Sequence, residues 1–457
     1  MNRRNFVKHS VKTSLAFGAG VTLLQNSASV YGSPANDKIN LGFVGMGGRG
    51  HALTGWFLKR PENDINFLYF CDPQQTKAES AAKMVVNTPL KQEPKVVDDI
   101  RNVLDDPKVD AVVCAMPDHW PALAAIWACQ AGKDVLTEKP ASHSAWEGQK
   151  MVDAARKYRR IVQHGTQTRS APYAMAAKKY IEDGKLGKIH LCRVFSQKEE
   201  GGNFKLGPTA EPPKGVDWSR WLGPASMRPF SPSYLIPNHW HHLWDFSSGD
   251  MIVDGIHQID LARWVLGLDL PKTVYSNGGR FFEEGDAQTP DTQITTYEYD
   301  NLMMTFEMTL YTPYMLKSDP EVRNGDLFPL WLQNTTRIEI YGSEGMMMLG
   351  RHGGGWVVFV RPKTRQPVVK DSMYGRYPDP EHVDNFVSCI RSRERPNADI
   401  ETGHRSTLLA HYATISYKLG GEKLTINRED GTILDNPATQ KYFKREYRKP
   451  FEVPEDV

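Results

Sequence analysis

Three side chains able to carry acid–base chemistry fall on one face of a predicted helix near the middle of the chain. The helix is predicted from Gly249 to Leu266, and Asp250, Asp254 and His257 occupy positions i, i+4 and i+7 in it. Histidine exchanges protons near neutral pH, and a carboxylate can orient its ring. The spacing indicates proton transfer with a bound small molecule. A histidine satisfied within the core is the alternative for His257.

A glycine-rich loop near the start of the chain predicts a dinucleotide site. A short apolar strand, residues 38–44, runs into Gly45-Met46-Gly47-Gly48-Arg49-Gly50, and residues 51–58 continue as a helix. Gly45 permits the tight turn, Gly47 lets the backbone approach the phosphates, and Gly50 lets helix pack on strand. The helix N-terminus then faces the pyrophosphate, so we expect these six residues to bind a cofactor. An unrelated glycine turn is the alternative.

An acid after the second predicted strand favours one cofactor over another. The strand, Ile65 to Phe70, ends at Asp72, which lies 22 residues beyond Gly50. A carboxylate at this place binds the ribose hydroxyls and repels a 2′-phosphate. The sequence therefore predicts NAD, with NADP disfavoured; a helix-capping Asp72 is the alternative.

Polar clusters follow two further strands. The strand 109–115 ends in Met116-Pro117-Asp118-His119-Trp120, and the strand 134–137 ends in Glu138-Lys139-Pro140. The carboxyl ends of parallel strands face the ligand crevice. We therefore expect Pro117, His119, Glu138 and Lys139 beside the nicotinamide.

Together these motifs resemble those of the Gfo/Idh/MocA oxidoreductase family. The glycine loop, Glu138-Lys139-Pro140 and the later His257-x-x-Asp260 carry the resemblance, which covers nearly the whole mature chain. Three more segments resemble its exported bacterial branch: Gln163-His164-Gly165-Thr166-Gln167, Asp217-Trp218-x-x-Trp221-Leu222-Gly223-Pro224 and Asp399-Ile400-Glu401-Thr402-Gly403-His404. The resemblance implies an α/β fold, a Rossmann domain followed by an α/β domain with an open, mostly antiparallel sheet.

The resemblance also implies roles for individual residues. Lys139 is the catalytic lysine, the Lys139-Pro140 bond is cis, and Gln167 joins the cofactor site. We expect Lys139 and His257 to bind the reacting hydroxyl, with His257 as the base. Lys139 can also take part in proton transfer if burial and a neighbouring cation lower its pKa. A surface lysine at the start of a loop is the alternative for Lys139.

One position departs from the family pattern. The family usually has Asp or Asn four residues before the histidine, where this chain has Val253; the carboxylate is the next residue, Asp254. Either Asp254 takes the role from a shifted angle, or protons are handled differently. Asp260 is expected to be structural, capping or pairing within its own helix.

A histidine-rich segment precedes this helix. His239, His241 and His242 are predicted to line substrate subsites, and ordinary loop residues are the alternative. Their spacing to Asp245 or Asp254 is irregular for metal ligands, so no metal site is predicted.

The chain divides into three predicted segments. These are a signal peptide over 1–35, an NAD-binding Rossmann domain over 36–165 and a substrate domain over 166–457. Strand-like alternation at 188–197, 292–298, 302–310 and 337–341 predicts the second sheet. Loops at 200–240 and 312–330 are expected to set the substrate. Residues 380–420 are predicted to form two scaffold helices, from which His404 could reach the cleft.

The first residues predict export. Arg3-Arg4-x-Phe6-x-Lys8 matches the twin-arginine pattern, and the apolar stretch 14–24 is too short to span a bilayer. A chance basic N-terminus is the alternative. We expect the twin-arginine (Tat) translocon to carry the folded protein to the periplasm or outside. No free nicotinamide pool exists there, so the cofactor is expected to be loaded first and retained.

Composition narrows the range of partners. Without the four basic residues of the leader, the formal net charge falls from +2 to −2, so neither nucleic acid nor an anionic membrane is indicated as a partner. The five cysteines include no C-x-x-C and are predicted to be buried thiols. The family resemblance suggests a homo-oligomer, a dimer or tetramer, formed through the open sheet.

Three classes of function remain open. The first is an NAD-dependent oxidoreductase acting on a hydroxyl of a sugar, glycoside or cyclitol. The second is a glycosidase or lyase that oxidises, eliminates and re-reduces, although the Gly-Gly-His-Gly-Gly-Met-Asp segment of glycosidase family 109 does not occur in this chain. The third is a non-catalytic sugar sensor.

Overall fold

The computed structural model describes residues 38–199, 204–315, 323, 335–361, 366–434 and 436–457. The predicted leader and most of the 312–330 loop lie outside these residues. The α-helices are α1 Gly48–Phe57, α2 Gln75–Val86, α3 Ile100–Leu104, α4 Pro121–Gln130, α5 Ala145–Lys157, α6 Pro172–Glu182, α7 Trp218–Leu222, α8 Asp250–Val253, α9 Gly255–Val265, α10 Asp379–Ser392, α11 Ile400–Lys418 and α12 Gln440–Phe443.

The strands divide between two sheets. The first sheet contains β1 Ile39–Val44, β2 Ile65–Cys71, β3 Lys95–Val97, β4 Ala111–Cys114, β5 Asp134–Thr137 and β6 Val162–His164. The second contains β7 Ile189–Gln197, β8 Thr273–Gly279, β9 Thr292–Glu298, β10 Met303–Thr309, β11 Arg337–Gly342, β12 Met346–Gly350, β13 Trp356–Val360, β14 Val368–Met373, β15 Leu424–Ile426 and β16 Ile433–Leu434.

The first sheet is a Rossmann sheet. Its six strands are parallel in the order β3-β2-β1-β4-β5-β6, so the chain reverses direction across the sheet between β1 and β4. The apolar runs of β1 and β2 are buried, and Phe43 packs against the rings of Phe57, Phe67 and Phe70. Ligands bind at this reversal point, beyond the carboxyl ends of the strands.

The second sheet is open and mostly antiparallel, as predicted. Its order is β14-β13-β12-β11-β7-β10-β9-β8-β15-β16, and β7 pairs in parallel with β10. Alternation gives the central strands one apolar face: Met304, Phe306 and Met308 of β10 are buried. Helices α6, α9 and α11 cover that face.

Helix α10 follows the second sheet in sequence, yet Val383, Phe386 and Val387 pack into the same apolar cluster as Phe43 of the Rossmann sheet. The C-terminal part of the chain thus adds a helix to the core of the Rossmann unit.

The predicted helix from Gly249 to Leu266 is broken. Asp254 lies between α8 and α9, where the His257 N–H donates to the Asp254 carbonyl at 3.0 Å. Such an i to i+3 bond tightens the turn. The residue after Asp254 is a glycine, Gly255, because a Cβ at this position would lie 2.5 Å from the Phe306 ring.

The five cysteines are free and buried, as predicted. None of the helices within the described residues is both long and apolar enough to cross a membrane.

Candidate active site

A cavity of about 470 Å³ lies at the carboxyl ends of the Rossmann strands. Its wall runs from the glycine loop past Asp72 and Lys139 to Asp254 and His257 of the second unit. Small-molecule sites span roughly 300–1,000 Å³ and commonly lie at such an interface. The predicted cofactor loop and the predicted catalytic residues therefore share one cavity.

The glycine loop fits a dinucleotide. Gly45 has φ +84°, and a Cβ on Gly50 would lie 2.2 Å from the Gly45 carbonyl oxygen, so both positions require glycine. A Cβ on Gly47 or Gly48 would meet no atom within 4 Å, which leaves open space above the N-terminus of α1. Backbone N–H groups facing open space at a helix N-terminus suit a pyrophosphate.

Asp72 braces this loop from the end of β2. Its Oδ2 accepts from the Met46 N–H at 2.7 Å and its Oδ1 from the Gln74 N–H at 2.7 Å. Burial raises the pKa of Asp72, and the two backbone donors oppose that shift. Asp72 lines the cavity, whereas Met46 is buried behind the loop. Asp72 thus fixes the shape of the loop and also borders the part of the cavity where the ribose is expected.

One hydrogen-bonded network joins Arg49, Glu138 and Gln167. Arg49 Nε donates to Glu138 Oε1 at 2.6 Å, and its NH2 donates to Asp379 Oδ1 at 2.8 Å. Gln167 Nε2 donates to the same Glu138 oxygen at 3.0 Å, and Tyr377 donates to Gln167 Oε1 at 2.9 Å. Burial lowers the pKa of Arg49, but Glu138 and Asp379 together outweigh burial and raise the pKa above its usual value. The guanidinium therefore stays charged. All five side chains except Asp379 line the cavity.

Lys139 faces the cavity, and the Lys139-Pro140 bond is cis, as the resemblance implied. Burial lowers the pKa of Lys139, and Lys198 lowers it further. Asp118, Glu138 and Asp254 oppose the shift. The net lowering favours an uncharged amine, which can accept a proton.

Among the carboxylates near Lys139, Asp118 has the largest effect on its pKa. It lines the cavity, and Ser247 Oγ donates to its Oδ2 at 2.5 Å. Burial raises the pKa of Asp118 to about 7, although Lys139 and Ser247 act in the opposite direction. The carboxyl group can therefore change its protonation state near neutral pH.

Lys198 is a site residue that the sequence reasoning missed. It follows β7, and its side chain is 1% exposed between two carboxylates. Its Nζ lies 2.6 Å from Asp250 Oδ1 and 3.1 Å from Asp254 Oδ2. The signal was present in the sequence, because alternation along β7 places Ser196 and Lys198 on its buried face.

His257 lines the cavity but is not oriented as predicted. Its Nδ1 has no hydrogen-bond partner among the described residues. Asp254, the expected orienting acid, faces Lys198 with one oxygen and Arg351 NH2 with the other, at 3.6 Å. Burial lowers the pKa of His257 well below its usual value, and Arg351 and Lys139 lower it further. The ring is therefore uncharged at neutral pH.

The other predicted histidines, His239, His241 and His242, differ in whether they border the cavity. His241 lines the cavity beside Trp240. Among the described residues, His239 and His242 do not line the cavity. Both of their rings pack against Phe204 instead.

His119 and His404 also lie away from the cavity. His119 turns from the crevice, since its Nε2 pairs with the Trp221 carbonyl at 3.0 Å and its ring packs against Phe246. His404 lies on the buried side of α11 against Gly148 of α5, which agrees with the scaffold role favoured for this segment and not with the alternative that His404 reaches the cleft.

Asp260 is structural, as predicted, but it does not pair within its own helix. It forms a buried ion pair with Arg169 at 2.8 Å and accepts from Ser406 Oγ of α11 at 2.6 Å, so it joins α9 to other elements. The described residues contain no cluster of three or more potential metal ligands.

A segment of the second unit, residues 213–223, crosses the ribose end of the cavity; we call it the strap. The Gln75 N–H donates to the Gly215 carbonyl at 2.9 Å, and the Asp217 N–H donates to the Pro73 carbonyl at 2.8 Å. Arg220 pairs with Asp98 at 2.6 Å and, like Trp221, lines the cavity. The strap therefore closes over the turn that follows Asp72.

Comparison with known proteins agrees with this geometry. Residues 39–166 match the oxidoreductase family model for the NAD-binding Rossmann fold, and residues 220–348 match the Gfo/Idh/MocA C-terminal domain. The chain is 29% identical to levoglucosan dehydrogenase of Pseudarthrobacter phenanthrenivorans over 37% of this chain and 36% of that protein. It is 23% identical to myo-inositol 2-dehydrogenase of Thermotoga maritima over 74% of this chain and 85% of that protein.

A solved structure extends the likeness to the whole fold. The structure of levoglucosan dehydrogenase with NADH and levoglucosan aligns with a TM-score of 0.63 at 19% identity, over 85% of this chain and 99% of that one. The match spans only 36% to 55% of the length of three curated relatives. The two family models nevertheless cover both units around the cavity and together match more than half of the sequence. The chain belongs to the Gfo/Idh/MocA oxidoreductase family, and its first unit is an NAD-binding Rossmann domain.

Proposed function

We propose that this protein is an NAD-dependent oxidoreductase that acts on a hydroxyl of a sugar, glycoside or cyclitol and keeps its cofactor tightly bound. The observation that carries the proposal is the meeting of Lys139, His257 and the glycine loop in one cavity. Relatives named levoglucosan, myo-inositol and D-glucoside 3-dehydrogenase support a polyhydroxylated substrate.

The chain's own residues supply the proton chemistry. Bound NAD supplies the hydride acceptor. Lys139, with its lowered pKa, is placed to accept the hydroxyl proton, and the uncharged His257 to hold the same oxygen. Asp118, with a pKa of about 7 beside Lys139, can exchange that proton near neutral pH. His241 and Trp240 line the wall on the substrate side.

The strap supports cofactor retention. Residues 213–223 border the cavity beside the turn that follows Asp72, where backbone hydrogen bonds and the Arg220–Asp98 pair hold them against the Rossmann unit. Each backbone hydrogen bond contributes about 0.5–1.5 kcal/mol. A closed strap slows dissociation without any change in the pyrophosphate loop.

We also propose export by the twin-arginine pathway, which moves folded proteins. Arg3-Arg4-x-Phe6-x-Lys8 motivates this part of the proposal, and the strap is consistent with a cofactor carried through the translocon. Changing both arginines to lysine should leave the protein in the cytoplasm. Fractionation that finds both forms in the same compartment contradicts the export proposal.

The test of the main proposal uses the protein as purified. Denaturation should release close to one NAD or NADH per chain, measured by mass. Addition of a suitable sugar should then produce reduced cofactor that stays with the protein on gel filtration. A chain that carries none and binds none on titration contradicts the proposal.

A second candidate is a glycosidase or lyase that oxidises, eliminates and re-reduces. Retention behind the strap favours it, because no second soluble substrate is then required. A partial match to a family 109 glycosyl hydrolase, 29% identical over 34% of each chain, adds support. Solvent deuterium incorporated at the carbon next to the oxidised one would favour elimination, and its absence would favour net oxidation.

A further inference from the structure

One arginine on the cavity wall is buried without a close partner. Arg351 follows β12, lines the cavity, and has a side chain that is 5% exposed. Its Nε has no hydrogen-bond partner among the described residues, and its NH2 lies 3.6 Å from Asp254 Oδ1, which is longer than a hydrogen bond. A guanidinium stays charged and carries several N–H donors, so its burial without close acceptors is costly. Arg351 therefore retains N–H groups for a ligand.

A second arginine borders the same part of the cavity. Arg323 and Arg351 both lie against the ring of Tyr377, with their guanidinium carbons 4.8 and 5.3 Å from its centre. The Tyr377 N–H donates to the Arg323 carbonyl at 2.9 Å, and the Tyr377 hydroxyl donates to Gln167 at 2.9 Å. All three side chains of this group line the cavity. Tyr377 thus holds two cations together, and their mutual repulsion is relieved by an anion placed beside them.

The carboxylates on this side of the cavity already face cations. Asp250 lies 2.6 Å from Lys198, and Asp254 lies 3.1 Å from the same ammonium with its other oxygen towards Arg351. Three cations of the second unit, Lys198, Arg323 and Arg351, therefore accompany two carboxylates. The excess is one positive charge, and partial burial strengthens its attraction for an anion.

This positive wall lies beside the place proposed for the reacting hydroxyl. The His257 N–H donates to the Asp254 carbonyl at 3.0 Å, and the carboxylate of Asp254 faces Arg351. Of the charged groups near His257, Arg351 has the largest effect on its pKa, which it lowers. A sugar whose hydroxyl lies at His257 therefore reaches Arg351 with a substituent of the same ring.

We propose that the substrate is an acidic sugar, a uronic acid or its glycoside, whose carboxylate binds Arg351 with Arg323 beside it. The inference rests on the proposed function, because it names the class of sugar that occupies the same cavity. The planar fork of an arginine matches a carboxylate, with which it forms two parallel hydrogen bonds. Phosphate sites commonly add the N-terminus of a helix, and in this cavity the helix that begins at Gly48 is assigned to the cofactor.

Equilibrium binding tests the proposal without catalysis. The full chain is loaded with NADH, so that no hydride can leave the sugar, and calorimetry compares methyl uronides with the matched neutral methyl glycosides of gluco, galacto and manno configuration. In at least one pair the uronide should bind about 10–100-fold more tightly, the usual effect of hydrogen bonds to charged groups. Arg351→Met should remove this preference. Arg351→Lys should keep part of it, because lysine retains the charge but not the fork.

The preference for the acid separates recognition from a structural role. Loss of structure weakens the acid and the neutral sugar alike, whereas loss of recognition weakens the acid alone. Arg376→Met removes an arginine that pairs with Glu381 outside the cavity, and this control should keep the preference. A preference that survives in Arg351→Met overturns the proposal, as does glucose 6-phosphate binding more tightly than every uronide. A wild-type protein that prefers no uronide over its neutral partner also overturns it, whether or not the variants fold.

Failure of this inference differs from failure of the proposed function. Oxidation of a neutral sugar by the bound NAD, without any preference for acids, removes the acid site and leaves the oxidoreductase in place. A uronide that binds through Arg351 but is never oxidised has the opposite meaning, because the acid site then stands and the oxidoreductase does not.

Discussion

Lys139 and His257 border the same cavity, but their surroundings differ. Lys139 lies among three carboxylates and one cation, so its pKa is lowered by burial and partly restored. His257 lies near Arg351 and Lys139, and both lower its pKa further. A base works best with a pKa near the working pH, which favours the lysine. We therefore propose that Lys139 accepts the proton and that His257 holds the hydroxyl oxygen, in place of the earlier expectation that His257 is the base.

Removal of Lys139 should separate catalysis from cofactor binding. We expect Lys139→Met to lower kcat/KM by about 10²–10⁴, because proton transfer by a placed side chain contributes that much. Bound NAD per chain should stay near the wild-type value. Lys179→Met, an exposed lysine paired with Asp183, serves as the control. Full activity in Lys139→Met would mean that another group takes the proton.

Single residues show how far the sequence could reach. The glycine loop and Asp72 were predictable because the turn, the strand and the helix lie close together in sequence. Lys198 was missed because its partners lie more than fifty residues away on α8 and at the break before α9. The strand-end rule placed His119 in the crevice. That rule cannot tell which of two successive side chains faces the cavity. In this structure the cavity is lined by Asp118 and not by His119.

At the scale of elements, the strap links the two units across the cofactor site. Its short helix α7 is capped by Asp217, whose side chain accepts from the Arg220 N–H at 2.8 Å. Arg448 near the C-terminus donates to the Ser219 carbonyl at 2.6 Å from the other side. The Asp-Trp-x-x-Trp-Leu-Gly-Pro motif was recognisable in the sequence as a family segment, but its position beside the cavity required the fold.

Loosening the strap should speed cofactor release. We expect Arg220→Ala to raise the NAD dissociation rate about two- to fivefold, since partly exposed ion pairs contribute about 0.2–1 kcal/mol. Stopped-flow exchange against a fluorescent dinucleotide measures the rate. Arg101→Ala is the matched control, because Arg101 lies outside the strap and pairs at 2.6 Å with Asp99, which also pairs with Arg220 at 3.3 Å. Equal rates in the two variants would show that the strap does not hold the cofactor.

At the scale of the molecule, the C-terminal part completes the Rossmann core. Phe386 of α10 is fully buried in the cluster built around Phe43. We expect Phe386→Ala to lower the free energy of unfolding by about 3–5 kcal/mol, the usual effect of removing a buried aromatic ring. Urea denaturation followed by tryptophan fluorescence tests this. An effect below 1 kcal/mol would mean that α10 contributes little to this core.

Buried histidines predict acid sensitivity of the whole fold. Burial lowers the pKa of His119, His382 and His411 to about 3, and each is uncharged in the folded state. In the unfolded chain the histidine pKa is about 6.5, so below that pH the unfolded state binds more protons. The free energy of unfolding should therefore fall as pH drops from about 6.5 towards 3.

Urea titrations at several pH values test this sign. His382→Gln should flatten the slope by about one proton, or 1.4 kcal/mol per pH unit. His190→Gln, an exposed histidine, should leave the slope unchanged. Stability that does not change between pH 7 and pH 5 would contradict the prediction.

The central claim is that a sugar hydroxyl loses hydride to NAD held in this cavity. The most direct measurement uses a substrate deuterated at the carbinol carbon and the protein with its own bound cofactor. Mass analysis of the cofactor released after a single turnover should show one deuterium per reduced nicotinamide in the wild type, and Lys139→Met should form the same labelled cofactor about 10²–10⁴ times more slowly. Turnover of the sugar without deuterium in the cofactor would contradict the account.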